Sequence, residues 1–253
     1  MLRDDYQYDI PPVDEPAWGA PPAGLGPVGG RPVTVPMTAE GPWERPGGEV
    51  AVPVGPARLA GRLVLSPGAG SLVVLAHGSG CSRHSPRNRR LAAALGRAGL
   101  GTLLLDLLTS GEERLPDALF DIPLLAGRLG ETTRWLGRET GLPVGLLGAG
   151  TTAGAVLEAA AWGDAHAVVC CGGRPDLAGP AALARVRAPT LFVVGALDAR
   201  VLGLNRLAAG QLRCEHRLAV VPGATRLFTE PGALDAVARL AAGWFTAHRP
   251  VRV

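Results

Sequence analysis

Pro143-Val144-Gly145-Leu146-Leu147-Gly148-Ala149-Gly150-Thr151-Thr152-Ala153-Gly154 is the stretch that decides how this chain is read. A short apolar run enters a Gly-rich corner. Ala155-Val156-Leu157-Glu158-Ala159-Ala160-Ala161-Trp162 leaves it as a strong helix former. The order is strand, sharp turn, helix. Two kinds of site are built on such a corner. In G-x-S-x-G a strained turn holds a nucleophilic serine above a sheet. In G-x-G-x-x-G/A a dinucleotide phosphate rests on the helix N-terminus. The corner has the setting of the first, with Gly150 where the serine belongs. Gly148-x-Gly150-x-x-Ala153 also spells the second. That motif requires an acid at the end of the next strand, and the next strand ends in Cys170-Cys171.

Outward from the corner, the same alternation repeats. The patterns predict strands over 49–54, 58–65, 71–76, 100–105, 142–148, 165–171, 189–195 and 214–221. They predict helices over 85–98, 121–139, 155–162, 180–186, 201–211 and 231–248. Ser85-Pro86 supplies an N-cap and an N1 proline, and Gly99 closes that helix. Strands alternating with helices imply one mostly parallel, twisted sheet of about eight strands with helices on both faces. Ligands of such sheets bind outside the carboxyl ends of the strands. The loops 77–84, 106–110, 148–152, 170–176, 196–200 and 222–228 are therefore expected to converge on one pocket.

Residues 1–32 are rich in Pro and Gly and poor in aliphatics, and are expected to form an extended or disordered arm. Residues 33–253 are expected to form a single domain. All 25 basic residues are Arg. The absence of Lys excludes Schiff-base chemistry, a pyridoxal phosphate anchor and a Walker-type phosphate loop. Net charge is only +3 and Arg is spread along the chain, so nucleic acid is not an expected partner. Arg83, Arg87, Arg89 and Arg90 gather at one helix start and are read as a solvated face. The beginning of the chain has no signal-peptide pattern and no apolar run long enough for a bilayer, so a cytoplasmic protein without a membrane partner is expected. Cys81, Cys170, Cys171 and Cys214 form no C-x-x-C pair. They are expected to be reduced thiols, and neither a metal nor a cofactor is expected.

Four further blocks stand in order at predicted strand or helix boundaries: His77-Gly78-Ser79-Gly80-Cys81-Ser82-Arg83-His84-Ser85-Pro86-Arg87-Asn88, Phe120-Asp121-Ile122-Pro123-Leu124-Leu125, Gly172-Gly173-Arg174-Pro175-Asp176-Leu177-Ala178-Gly179 and Val221-Pro222-Gly223-Ala224-Thr225-Arg226-Leu227-Phe228. With the corner, they resemble the dienelactone-hydrolase-like group of the α/β-hydrolase superfamily from residue 49 to the end. The resemblance implies the α/β-hydrolase fold. It also implies a triad in the chain order nucleophile, acid, histidine. Asp198 stands where the acid is expected. In similar hydrolases the corner reads Gly-Ala-Ser-Thr-Gly, where this chain has Gly148-Ala149-Gly150-Thr151-Thr152. Where their last loop carries His, this one carries Arg226. No serine follows Ser110, so no shift of register restores one. Gly150 cannot attack a carbonyl, and Arg226 stays protonated and cannot serve as a base.

Gly150, Asp198 and Arg226 are thus read as former triad positions. Gly78, Ser79, Gly80, Thr151, Cys171 and Arg174 are expected to frame the pocket and its oxyanion-binding backbone. Asp198, Asp106, His84 and Cys81 are the candidate acids, bases or nucleophile. Thr152 in G-x-T-x-G sits two residues into the helix, away from the corner's tip, and His77 is expected to shape the loop. Three readings follow. The first is a non-hydrolytic protein that binds a small anionic or carbonyl-containing molecule in the old pocket, or works on it by acid/base catalysis. The second is a catalytically dead interaction subunit. The third is a hydrolase that has kept activity through Cys81 or another nucleophile. Assembly into homo-oligomers is left open.

Overall fold

The computed structural model describes residues 48–78, 82–163 and 165–250. The 1–32 arm lies outside the described residues, as do Ser79, Gly80 and Cys81. The chain runs β1 (Gly48–Val54), β2 (Ala57–Val64), β3 (Leu72–His77), α1 (Pro86–Arg97), β4 (Gly101–Asp106), α2 (Ile122–Thr140), β5 (Val144–Ala149), α3 (Thr152–Trp162), β6 (Val168–Cys171), α4 (Gly179–Leu183), β7 (Thr190–Gly195), α5 (Ala199–Ala209), β8 (His216–Val221) and α6 (Ala233–Ala247). One eight-stranded sheet results, ordered β1-β2-β4-β3-β5-β6-β7-β8. The hairpin β1–β2 is antiparallel and joins β4 antiparallel, while the strands from β4 to β8 are parallel.

The expected alternation is therefore realised. The charged 107–120 loop contains two short 3-10 turns, at Glu112–Arg114 and Pro116–Leu119. The strand expected over 165–171 shrinks to β6, because only 168–171 pair with both neighbours.

The sheet's two faces explain the unbroken apolar runs. On β3, Leu72, Val74 and Ala76 pack into the core under α2 and α3. Val73 and Leu75 face the other way, into the core under α1 and α6. Side chains alternate across a strand, so a strand covered on both faces must be apolar at every position. β3, β4 and β7 are buried at each position, whereas β8, the edge strand, is largely exposed. Helix starts follow local chemistry. The Asp121 carboxylate accepts from Leu124 N–H at 3.0 Å and caps α2. Gly141, at φ 63, ends that helix in the left-handed region.

Candidate functional site

Close packing between backbones forms the corner after β5. A Cβ on Gly148 would stand 2.5 Å from Thr152 O, and one on Gly173 would stand 2.3 Å from Ala153 Cβ and 2.8 Å from Gly150 O. Only glycine lets α3 start this close to its own strand and lets the loop after β6 run beneath the turn. The Thr152 hydroxyl pins the turn from inside. It accepts Ala149 N–H at 2.9 Å, and its hydrogen reaches Ala149 O at 2.8 Å and Ala76 O at 3.1 Å. Buried and engaged on both sides, Thr152 is no nucleophile. At the tip, Gly150 has φ 58, and a Cβ added there would meet nothing within 4 Å. The Gly150 carbonyl accepts Arg174 N–H at 2.9 Å.

Above Gly150 lies a cleft of about 190 Å3 at the carboxyl ends of the central strands. The ends of β3, β5 and β6 line it, with the first turns of α1 and the loop after β8. Of the pocket residues expected from sequence, Gly78, Gly150, Thr151, Cys171 and Arg226 meet there. The loops after β4 and β7 contribute none of its walls, so four of the six strand-end loops converge rather than all.

His77, Arg87, Asn88 and Arg226 bring side-chain donors to the cleft. His77 is 7% exposed and Asn88 packs beside it, also buried. The Asn88 amide nitrogen lies 3.0 Å from Ser82 O and 3.2 Å from His77 Nδ1. Donating to a carbonyl fixes which end of the amide is nitrogen, so His77 Nδ1 must accept its other hydrogen. The ring proton then sits on Nε2, which is buried without a partner among the described residues. Burial holds the imidazole pKa down at about 4 although Asp106 is near, and the ring is neutral at pH 7. Arg87 lines the same cleft, and its Nε–H is likewise buried and unsatisfied. Among the described residues no Asp or Glu lines it. Burial pushes the Cys171 thiol up to about 12 in spite of the Arg87 charge, so at neutral pH it is a protonated thiol and not a nucleophile.

The other candidates among the described residues have partners outside the cleft lining. Asp106 receives Arg83 N–H at 2.8 Å on one oxygen and the Arg83 guanidinium on the other. Asp198 ends β7 where expected, but its carboxylate caps α5 by accepting Val201 N–H at 3.0 Å and lies outside the cleft lining. His84 is exposed, with Nδ1 3.1 Å from Arg89 Nη2. The Arg174 guanidinium pairs with Asp176 at 2.7 Å; only its backbone serves the corner. Nor are the four arginines at α1 a uniform solvated face. Arg83 bridges Glu49 and Asp106, Arg90 pairs with Asp235, and Arg87 turns inward.

Arg87 and Asn88 are the residues that sequence reasoning passed over. The N1 proline at Pro86 was the usable signal. It fixes where α1 begins, so Arg87 and Asn88 lie in the first turn beside the end of β3.

No family model matches the chain. Two Mycobacterium tuberculosis proteins, from strains CDC 1551 and H37Rv, carry the provisional name phosphoribosyl transferase. Each is 52% identical over 205 residues, covering 79% of this chain and 46% of its own length. The chain thus spans about half the length of the curated relatives it matches. The crystal structure of a dienelactone hydrolase from Anabaena variabilis is 49% identical, with a TM-score of 0.77 over 81% of this chain and 100% of that one. Est1E from Butyrivibrio proteoclasticus, at 12% identity and a TM-score of 0.68, shares the fold over 79% of this chain and 98% of its own.

Proposed function

Since the chain belongs to the dienelactone-hydrolase-like group of α/β-hydrolases, we propose that it keeps that group's pocket as a binding site for a small anionic or carbonyl-bearing molecule and has given up hydrolysis. One observation carries this reading. The tip of the corner is Gly150, at φ 58 with open space above it, and the facing loop offers Arg226. Hydrolysis by a triad needs a nucleophile at the first place and a base at the second. A glycine supplies no attacking atom, and a guanidinium has no lone pair to take a proton. We read Gly150, Asp198 and Arg226 as a degenerate triad of which only the acid survives.

Acid/base work by Asp106, Asp198 or His84 draws no support from their placement, because each is engaged outside the cleft. A cleft lined by donors suits a ligand that brings acceptors. The name of the mycobacterial relatives accords with this, since a phosphoribosyl group is anionic. No transferase step is assigned to this chain, which matches 46% of those proteins. The interaction-subunit reading has one observation in its favour: Leu227, beside Arg226 on the lip of the cleft, is 49% exposed.

Turnover of 4-nitrophenyl acetate by the full chain tests the proposal. The expected rate equals that of heat-denatured protein at the same concentration. Saturable turnover abolished by mild denaturation would restore the hydrolase reading.

A further inference from the structure

The donors around Gly150 carry more than a general preference for acceptors. They come from separate walls. His77 Nε2–H stands at the end of β3, and the Arg87 guanidinium at the first turn of α1. Arg226 comes from the loop after β8. At the start of α3 the Ala153 and Gly154 N–H groups already donate to Gly150 O at 3.3 Å and Thr151 O at 3.1 Å, so side chains carry the donor set. Two of these side chains are fixed positive charges, and neither Arg87 nor Arg226 is ion-paired among the described residues. Neither Glu230, the carboxylate nearest in sequence to Arg226, nor Asp198 makes an ion pair with it among the described residues. Glu230 accepts Thr225 N–H at 3.0 Å and Asp198 caps α5.

We propose that this cleft is a phosphate-monoester site, in which His77 Nε2–H and the Arg87 and Arg226 guanidinium groups donate to the phosphoryl oxygens. The proposal rests on the non-hydrolytic reading above and narrows its ligand. Oxygen count and charge select a phosphate over a carboxylate. A carboxylate brings two coplanar oxygens and one charge. A phosphate monoester brings three outward oxygens and close to two charges at pH 7, matching donors on several walls and two uncompensated guanidiniums. His77 lines the cleft, and its buried Nε2–H has no partner among the described residues, a donor that either anion could meet. The volume, about 190 Å3, is smaller than a pocket that encloses a whole drug-sized ligand. It admits a head group, and the rest of the ligand passes out over Arg226 and Leu227, both exposed on the lip.

Calorimetric titration of the full chain with inorganic phosphate and phenyl phosphate tests this, with phenylacetate as the carboxylate counterpart and 4-nitrophenyl acetate turnover measured on the same sample. Phenyl phosphate is expected to bind saturably and more tightly than phenylacetate. Arg226→Gln and Arg87→Gln are each expected to weaken phenyl phosphate by about tenfold or more, the effect of one charge-assisted hydrogen bond. Arg226 is exposed, so its variant should fold even if Arg87→Gln does not. Equal affinity for phenyl phosphate in the wild type and in Arg226→Gln would overturn the proposal. So would the absence of phosphate and phenyl phosphate binding. Phenylacetate binding alone, with the same arginine dependence, would overturn the phosphate assignment and leave the non-hydrolytic anion site standing. Ester turnover would overturn the reading beneath both.

Discussion

The Asn88 amide nitrogen stands 3.2 Å from His77 Nδ1, and through it one side chain sets the tautomer of another. Nitrogen-detected NMR of ring-labelled protein at pH 7 should show His77 with Nδ1 unprotonated and Nε2 protonated. Asn88→Leu removes the donor and should let the other tautomer appear. A wild-type spectrum with the proton on Nδ1 would contradict the cleft's donor character.

Stability should fall on acidification earlier than carboxylate titration alone requires. Burial holds both His77 and His166 at about 4 in the folded protein, against an ordinary value of 6.5. Below pH 6.5 the unfolded chain takes up these protons and the folded one does not. The stabilisation is therefore complete above pH 6.5 and is lost as pH falls toward about 4. For His77 the slope is about 1.4 kcal/mol per pH unit within that window. Urea unfolding between pH 7 and 4 should show the slope, and His77→Asn should reduce it. Below pH 4.5 a further loss begins from Glu112, which the Arg128 guanidinium holds down at about 2.

The corner's glycines should differ sharply in tolerance. Gly150→Ala meets open space and carries only the left-handed backbone cost, about 1–2 kcal/mol. Gly173→Ala drives a Cβ to 2.3 Å from Ala153 Cβ and against the Gly150 backbone, and should cost about 3 kcal/mol. Equal destabilisation of the two by urea titration would mean that the corner is not packed as described.

Gly150→Ser should fold and remain inert toward activated esters. A serine hydroxyl needs a base, and Arg226 offers none. Gly150→Ser combined with Arg226→His is the smallest change that supplies both groups, and activity is expected in the double variant alone. Burst release from the Gly150→Ser single variant would reveal a base already in place.

Most of the fold was legible because the parallel strands are covered on both faces. The runs at 71–76, 100–105 and 189–195 had to be apolar throughout, and proline, glycine and carboxylate caps marked the helix ends. Gly150 and Arg226 were also legible, since their positions at a strand end and in the last loop follow from chain order. Which side chains turn inward was not. Arg83, Arg87 and Arg90 read alike in sequence, yet Glu49 and Asp106 hold the first, Asp235 holds the third, and the second faces the cleft. Those partners lie up to 145 residues away, and no local pattern encodes the choice. Asp106 and Asp198 looked like free acids for the same reason, because Arg83 and the α5 amide that occupy them appear only in three dimensions.

The most direct measurement is the intact mass of the full chain after exposure to an excess of a fluorophosphonate, with cleavage and mapping of any adduct. The protein should keep its unmodified mass, because among the described residues no activated hydroxyl or thiolate faces the cleft over Gly150. A stoichiometric adduct on any residue from 148 to 152, or on Cys81, would show that a nucleophile is present and would contradict the account.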